Sequence, residues 1–195
     1  KTSSQPFSRI AIAEKISYHI ELSELQSKEY NLACEVAYFL QEDEHYAVRV
    51  ALSKGVASSL KAPHKLVLLL ANDNVTNVAT PVLNGSPLLN DEELCSLTMT
   101  TDNMAKLQAI ASRERVSALL SNKLIAKCNE VISFALLNND KCDIDEKDYK
   151  SLVQQHYQNE KMMFKLKERA PLILSNFKPS PSQNINRQKP APPIP

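Results

Sequence analysis

Residues 62–94 read APHKLVLLLANDNVTNVATPVLNGSPLLNDEEL. Val78, Pro81 and Val82 fall at i, i+3 and i+4, the spacing of one helical face, and an apolar run from Pro63 to Asn72 precedes them across a short Asn/Asp break. The stretch therefore predicts two short helices in succession. Pro63 suits a first helical turn, where no amide donor is needed, and Asn90 with Glu93 has the spacing of a capping box for a third helix. Pro81 would kink a helix unless it lay within the first turn, so the second helix is predicted to begin between Thr76 and Val78.

The same spacing recurs on both sides. Val48, Ala51 and Leu52, then Leu107, Ile110 and Ala111, then Ile132, Ala135 and Leu136 are further i, i+3, i+4 sets, followed by Lys54, Arg113 and Asn138 as Asn84 follows the first. A second series of helices, Lys28 to Gln41, Pro63 to Asn72, Asp91 to Thr100 and Ser117 to Cys128, precedes each set. Gly55 fits a helix C-cap. Such pairs cannot bury their apolar faces alone, so the predicted fold is all-α, an α-solenoid of stacked helical pairs over residues 28–140. Residues 1–27 are read as an N-terminal capping helix, from about Ser8 to Glu21, with Phe7, Ile10, Ile12, Ile16 and Ile20 as its apolar residues. Residues 141–177 are read as a C-terminal helical cap, one long helix from Asp145 to about Arg169 that Pro171 stops. Residues 178–195, rich in Pro, Ser, Asn and Gln, are read as a disordered or polyproline-like basic tail.

The stretch from Ala62 to Leu94, with ACEVAYFLQEDEHYAVRVALSKGV before it and LQAIASRERVS and VISFALLNND after it, resembles the mainly alphaproteobacterial family called Domain of Unknown Function 2336. The resemblance covers about residues 28 to 140 and is most specific from Pro81 to Leu89. It implies a bacterial protein with a HEAT-like helical repeat and carries no catalytic residues across.

Composition narrows the classes further. A chain of 195 residues with 43% hydrophobic and 23% charged residues can bury a core, and only two glycines leave too few cheap turns for a sandwich or barrel. No apolar run is long enough for a membrane span and no basic-then-apolar leader opens the sequence, so a soluble, cytoplasmic protein without membrane contact is expected. The net charge of +1 divides into −5 over residues 1–160 and +6 over residues 161–195, so the body lacks the basic footprint of a phosphate-backbone binder. Cys34, Cys95, Cys128 and Cys142 stand far apart and read as buried, reduced core thiols.

Catalytic patterns are missing. Asp143, Asp145, Glu146 and Asp148 alternate like a calcium loop, but Asp148 and Gln154 stand where that loop needs glycine and glutamate; the acidic group is read as capping the long helix. His19, His45, His64 and His156 have no nucleophile or carboxylate at motif spacing. No catalytic residue, metal ligand or cofactor is assigned, and the chain is read as non-enzymatic.

The expected function is protein–protein interaction, with a partner of unknown identity held on the concave face of the repeat by Arg49, Ser53, Gln108, Ser112 and Ser133, which lie off the apolar sets. The alternative is a nucleic-acid-associated helical repeat using Lys161, Lys165, Lys167 and Arg169 with the basic tail; nucleic acid is the less favoured partner. In the tail, Arg187, Pro190 and Pro193 form a basic-x-x-Pro-x-x-Pro spacing suited to a polyproline ligand. The oligomeric state is left open.

Overall fold

A computed structural model describes residues 6–176. Among the described residues the regular structure is helical throughout, and the sole β-type contact is an isolated parallel bridge between Val116 and Cys142. No helix among them is long and apolar enough to cross a membrane. The chain divides into two compact units, Lys1–Asp143 and Ile144–Pro195. The tail residues Arg187, Pro190 and Pro193 lie outside the described residues.

The first unit begins with α1 (Pro6–Leu22) and continues through α2 (Lys28–Gln41), α3 (Tyr46–Val56), α4 (His64–Ala71) and α5 (Thr76–Gly85). It ends with α6 (Asp91–Thr100), α7 (Met104–Ala111), α8 (Ala118–Ile125) and α9 (Glu130–Asn138). Local chemistry sets the starts. Ser27 accepts from the Tyr30 amide at 3.0 Å, and Asn90 and Glu93 exchange two bonds of 2.9 and 3.0 Å, which satisfies first-turn amides that have no helical partner. Asn103, Ser117 and Asn129 do the same for α7, α8 and α9. In packing, α1 lies on α2 and α3, and α3, α5, α7 and α9 touch in series, while α2 meets α4 and α6 meets α8.

A common register emerges when α3, α5, α7 and α9 are counted from their cap residues His45, Val75, Asn103 and Asn129. The seventh position is Leu52, Val82, Ile110 and Leu136, all fully buried, and the eighth is Ser53, Leu83, Ala111 and Leu137, all buried as well. The third and fourth positions complete the inward arc with Val48, Val78 and Ile132 and with Ala79, Leu107 and Ser133. The sixth position, Ala51, Pro81, Ala109 and Ala135, is only half-buried. Ala51, Pro81 and Ala135 therefore stand at the edge of the core, not inside it, and the α7 set was matched one residue out of register.

Arg49 occupies the fourth position of α3 and pairs with Asp73, two residues before the α5 cap. Arg9 pairs with Asp43, two residues before the α3 cap, in the same way. By this device α1 belongs to the series of α3, α5, α7 and α9. Its inward residues are Ala13, Ser17 and Ile20, whereas Phe7 and Ile12 are exposed and Ile10 and Ile16 half-buried, so the expected apolar face is corrected. Small residues are what α1 needs there, because Gly55 of α3 approaches so closely that a Cβ at Gly55 would overlap Ser17 Cβ and Oγ. Gly55 is thus a contact residue inside α3 with no positive φ; the cap residue is Ala57.

Three further expectations change. Pro81 is the sixth residue of α5, beyond the first turn, although the helix begins at Thr76 as predicted. Cys34, Cys95 and Cys142 are buried, but Cys128 is exposed and holds φ 50°, a left-handed turn into α9. In the second unit the predicted long helix is interrupted, giving α10 (Glu146–His156), α11 (Glu160–Arg169) and α12 (Pro171–Ser175). Asn159 accepts from the Met162 amide at 3.0 Å, so a side chain starts a new helix where backbone bonding would have continued the old one. Leu152 and Val153 of α10 and Met162 and Leu166 of α11 are fully buried. Asp145 is the cap residue of α10 but its side chain accepts no cap hydrogen bond; Glu146 instead pairs with Lys150 at 2.6 Å.

Candidate functional site: a groove across α3, α5, α7 and α9

The register that buries positions three, four, seven and eight, with the half-buried Lys106 and Arg49 as exceptions at three and four, exposes two, five, six and nine along the other side of the same helices. Position two is Ala47, Asn77, Ala105 and Val131, and position five is Val50, Thr80, Gln108 and Phe134. Position nine is Lys54, Asn84, Ser112 and Asn138. These residues line three depressions of about 280, 410 and 700 Å³. The first two share Thr80 and Pro81, and the second and third share Gln108 and Ser112, so the depressions join into one groove crossing the four helices.

The far ends of α5 and α7 are tied to their neighbours. Arg113 donates to the Leu83 and Ser86 carbonyls, each at 2.6 Å, occupying acceptors that α5 leaves free at its C-terminus. Burial lowers the Arg113 guanidinium below its ordinary value. The Asn84 amide, oriented with its nitrogen toward α7, reaches the Ala109 and Ser112 carbonyls at 3.2 and 3.1 Å. Asn139 donates to the Arg113 carbonyl at 2.7 Å. Side chains from one helix end thus close the end of its neighbour and hold the groove wall in place.

Charge is distributed toward the two ends. Lys54 is exposed at the α3 end. At the α9 end Glu130 and Asp140 are exposed, and Glu114 pairs with Lys141 at 2.6 Å. The middle, on α5 and α7, carries neutral amides and hydroxyls.

Of the residues assigned from sequence, Gln108 and Ser112 lie in the groove. The other three do not. Ser53 is fully buried and donates to the Val78 carbonyl at 2.6 Å, and Ser133 is fully buried as well. Arg49 is turned to Asp73 with its side chain 15% exposed. Apolar spacing points positions off a triad outward, but the buried arc is wider than the triad and takes in small hydroxyl residues. Asn77, Thr80, Asn84, Phe134 and Asn138 were missed, and counting from the helix caps instead of from the apolar residues would have found them. Arg113, which follows the α7 set, is committed to the end of α5.

In the second unit Lys161 and Lys167 are exposed, while Lys165 pairs with Glu168 at 3.0 Å, which interrupts the basic row expected on α11. Arg169 lines a separate depression of about 840 Å³ with Tyr149, Leu172 and Ile173. Among the described residues no group of three or more His, Cys, Asp or Glu could hold a metal.

Residues 78–176 match a family described as an uncharacterised protein conserved in bacteria, Domain of Unknown Function 2336. The match begins inside α5 and runs to the end of the described residues, so it takes in the C-terminal helices that the sequence resemblance left out. No curated protein and no solved structure matches the chain.

Proposed function

The chain belongs to the bacterial Domain of Unknown Function 2336 family, and from that premise we propose that it is a non-enzymatic, HEAT-like α-solenoid whose concave face is the groove on α3, α5, α7 and α9, where it holds a protein partner. One observation carries the reading: four successive helices present the same register positions to one continuous groove. Repeat proteins use such extended surfaces for binding, since each repeat adds a further strip of similar geometry. The lining supports recognition over proton-transfer chemistry. Asn77, Thr80, Gln108, Ser112 and Asn138 donate and accept hydrogen bonds but do not titrate near neutral pH.

Site-specific photo-crosslinking tests this. A photoreactive residue at Gln108 should trap a defined protein in the native bacterial host, and one at Glu35, exposed on α2 and outside the groove, should not. Equal trapping at both positions would show that the groove has no special role.

A further inference from the structure

The groove changes character along its length. At the α3 end Tyr46, 51% exposed, and Val50 form an apolar patch beside Lys54. At the α9 end Val131 and Phe134, 51% and 38% exposed, form another beside Glu130 and Asp140. Between them α5 and α7 present Asn77, Thr80, Gln108 and Ser112 above Ala105 and Ala109.

That middle stretch discriminates between shapes of ligand. A helix laid across it would bring a backbone already hydrogen-bonded to itself, and the apolar face by which an amphipathic helix docks would bury amides and hydroxyls without matching them. An extended chain brings one free N–H and one free C=O per residue, and each needs a partner. Pro81 adds to the supply on the protein's side. Having no amide, it cannot donate to the Asn77 carbonyl one turn earlier, so α5 has an acceptor without its helical donor at the groove itself. Small residues beneath allow a backbone to approach closely.

Length follows from the packing. Neighbouring helices in contact lie ~8–10 Å apart, so the span from α3 to α9 is about 24–30 Å, which an extended chain covers in roughly seven to nine residues. Charge gives direction, since Lys54 stands at one end, while at the other Lys141 is paired with Glu114 and Arg113 is turned to α5, which leaves the carboxylates of Glu130 and Asp140 in excess.

We propose that this groove binds an extended peptide segment of about seven to nine residues, with an apolar or aromatic side chain near each terminus, an acidic residue opposite Lys54 and a basic residue opposite Glu130 and Asp140. The proposal rests on the reading of the groove as the partner-binding face and names the chemistry of the part it holds. Apolar side chains enter the Tyr46–Val50 and Val131–Phe134 patches, and the intervening main chain is held by Asn77, Thr80, Gln108 and Ser112.

Two peptide selections on the full chain test this and separate it from the broader reading. One uses displayed linear peptides of roughly twelve random residues, long enough to cover the span; the other uses displayed amphipathic helices. The linear selection should return peptides with the stated pattern, and their affinity should fall by about tenfold or more with Phe134→Asp or Lys54→Glu, a loss of ~1.4 kcal/mol or more. Reversing the acidic residue of such a peptide should weaken its binding to the native chain and restore it with Lys54→Glu. Both substituted residues are solvent-exposed, and circular dichroism confirms that the variants fold. Helical binders that depend on Phe134, with no dependent linear ones, would overturn the extended occupant and keep the groove as a binding face. If neither selection yields binders sensitive to Phe134→Asp, both are overturned.

Discussion

Arg49 reaches from α3 to Asp73 in the turn before α5, with Nε 2.7 Å from Oδ2 and Nη2 3.2 Å from Oδ1. The pair is forked, so it sets orientation as well as distance. Asp73 also accepts from the Val75 amide at 2.8 Å, while Arg49 sends Nη1 to the Asp43 carbonyl at 2.7 Å. Lys106 of α7 donates to the Asp73 carbonyl at 2.6 Å. One aspartate thereby connects three successive helices of the groove.

Replacing Arg49 with Ala should lower unfolding stability by about 1.5–3 kcal/mol, the range for a hydrogen bond to a charged group, because the Asp73 side chain, 6% exposed, would be left without its partner. Urea denaturation reads the change. Pairing Arg49→Met with Asp73→Leu should lose less than the two single losses combined, and strict additivity would show that the pair does not couple.

Acid should act through the same carboxylates. Burial pushes Asp73 up, but the Arg49 guanidinium, the Val75 amide and the charge of Lys106 outweigh it and hold the carboxyl below its ordinary value. Asp43 is likewise depressed: its burial is overcome by Arg9 and the His45 amide. The unfolded chain, with aspartates near ~3.9, then takes up protons before the folded one. Stability from these groups is present above about pH 4 and lost as pH falls through the folded values. Asp43→Asn with Asp73→Asn should be less stable than the native chain at neutral pH and lose less between about pH 5 and about pH 3, measured by urea midpoints.

Gly55→Ala should destabilise by about 1–3 kcal/mol, as overpacking does, because the added Cβ meets Ser17 Cβ and Oγ. Ser17→Gly removes both of those atoms. The double variant should therefore recover part of the loss in thermal melts, and no recovery would mean that α1 and α3 already separate enough to admit the methyl.

Leu52→Ala and Leu136→Ala remove fully buried side chains and should each cost about 2–4 kcal/mol. Phe134→Ala, two residues from Leu136 but facing the groove, should cost much less. Equal losses at positions 134 and 136 in chemical denaturation would place Phe134 in the core and refute the register.

Cys128, at φ 50°, occupies a left-handed conformation that disfavours side chains with a Cβ. Cys128→Gly should be neutral or stabilising by up to about 1 kcal/mol, and Cys128→Val should be destabilising, as β-branching resists that conformation. Thermal midpoints that move the opposite way would show that the turn rearranges at no cost.

The helices were legible because their signals are local. Asn90 and Glu93 form a capping box wherever that tetrapeptide starts a helix, and the i, i+3, i+4 apolar spacing around Val82 needs no knowledge of the partner helix. The break at Asn159 was missed although it too is local, because an apolar pattern ran on past a residue able to cap. Arg49 and Ser133 were placed outward for a different reason. Polarity alone says that a side chain prefers water, but Arg49 is satisfied by a nearby carboxylate and Ser133 is fully buried.

The sequence by itself determined an all-helical chain and the approximate spans of the helices from Lys28 to Asn138, since these depend on caps, breakers and periodicity within a few residues of one another. Only the tertiary structure decided which side of those helices is core and which is groove. Leu136 and Phe134 are equally apolar, and Ser133 and Ser112 equally polar, in a one-dimensional reading. Their burial differs because contacts between α3, α5, α7 and α9 cover one arc of each helix and leave the adjacent arc open. That choice belongs to residues some thirty positions apart, where distance along the chain carries no record of which surfaces meet.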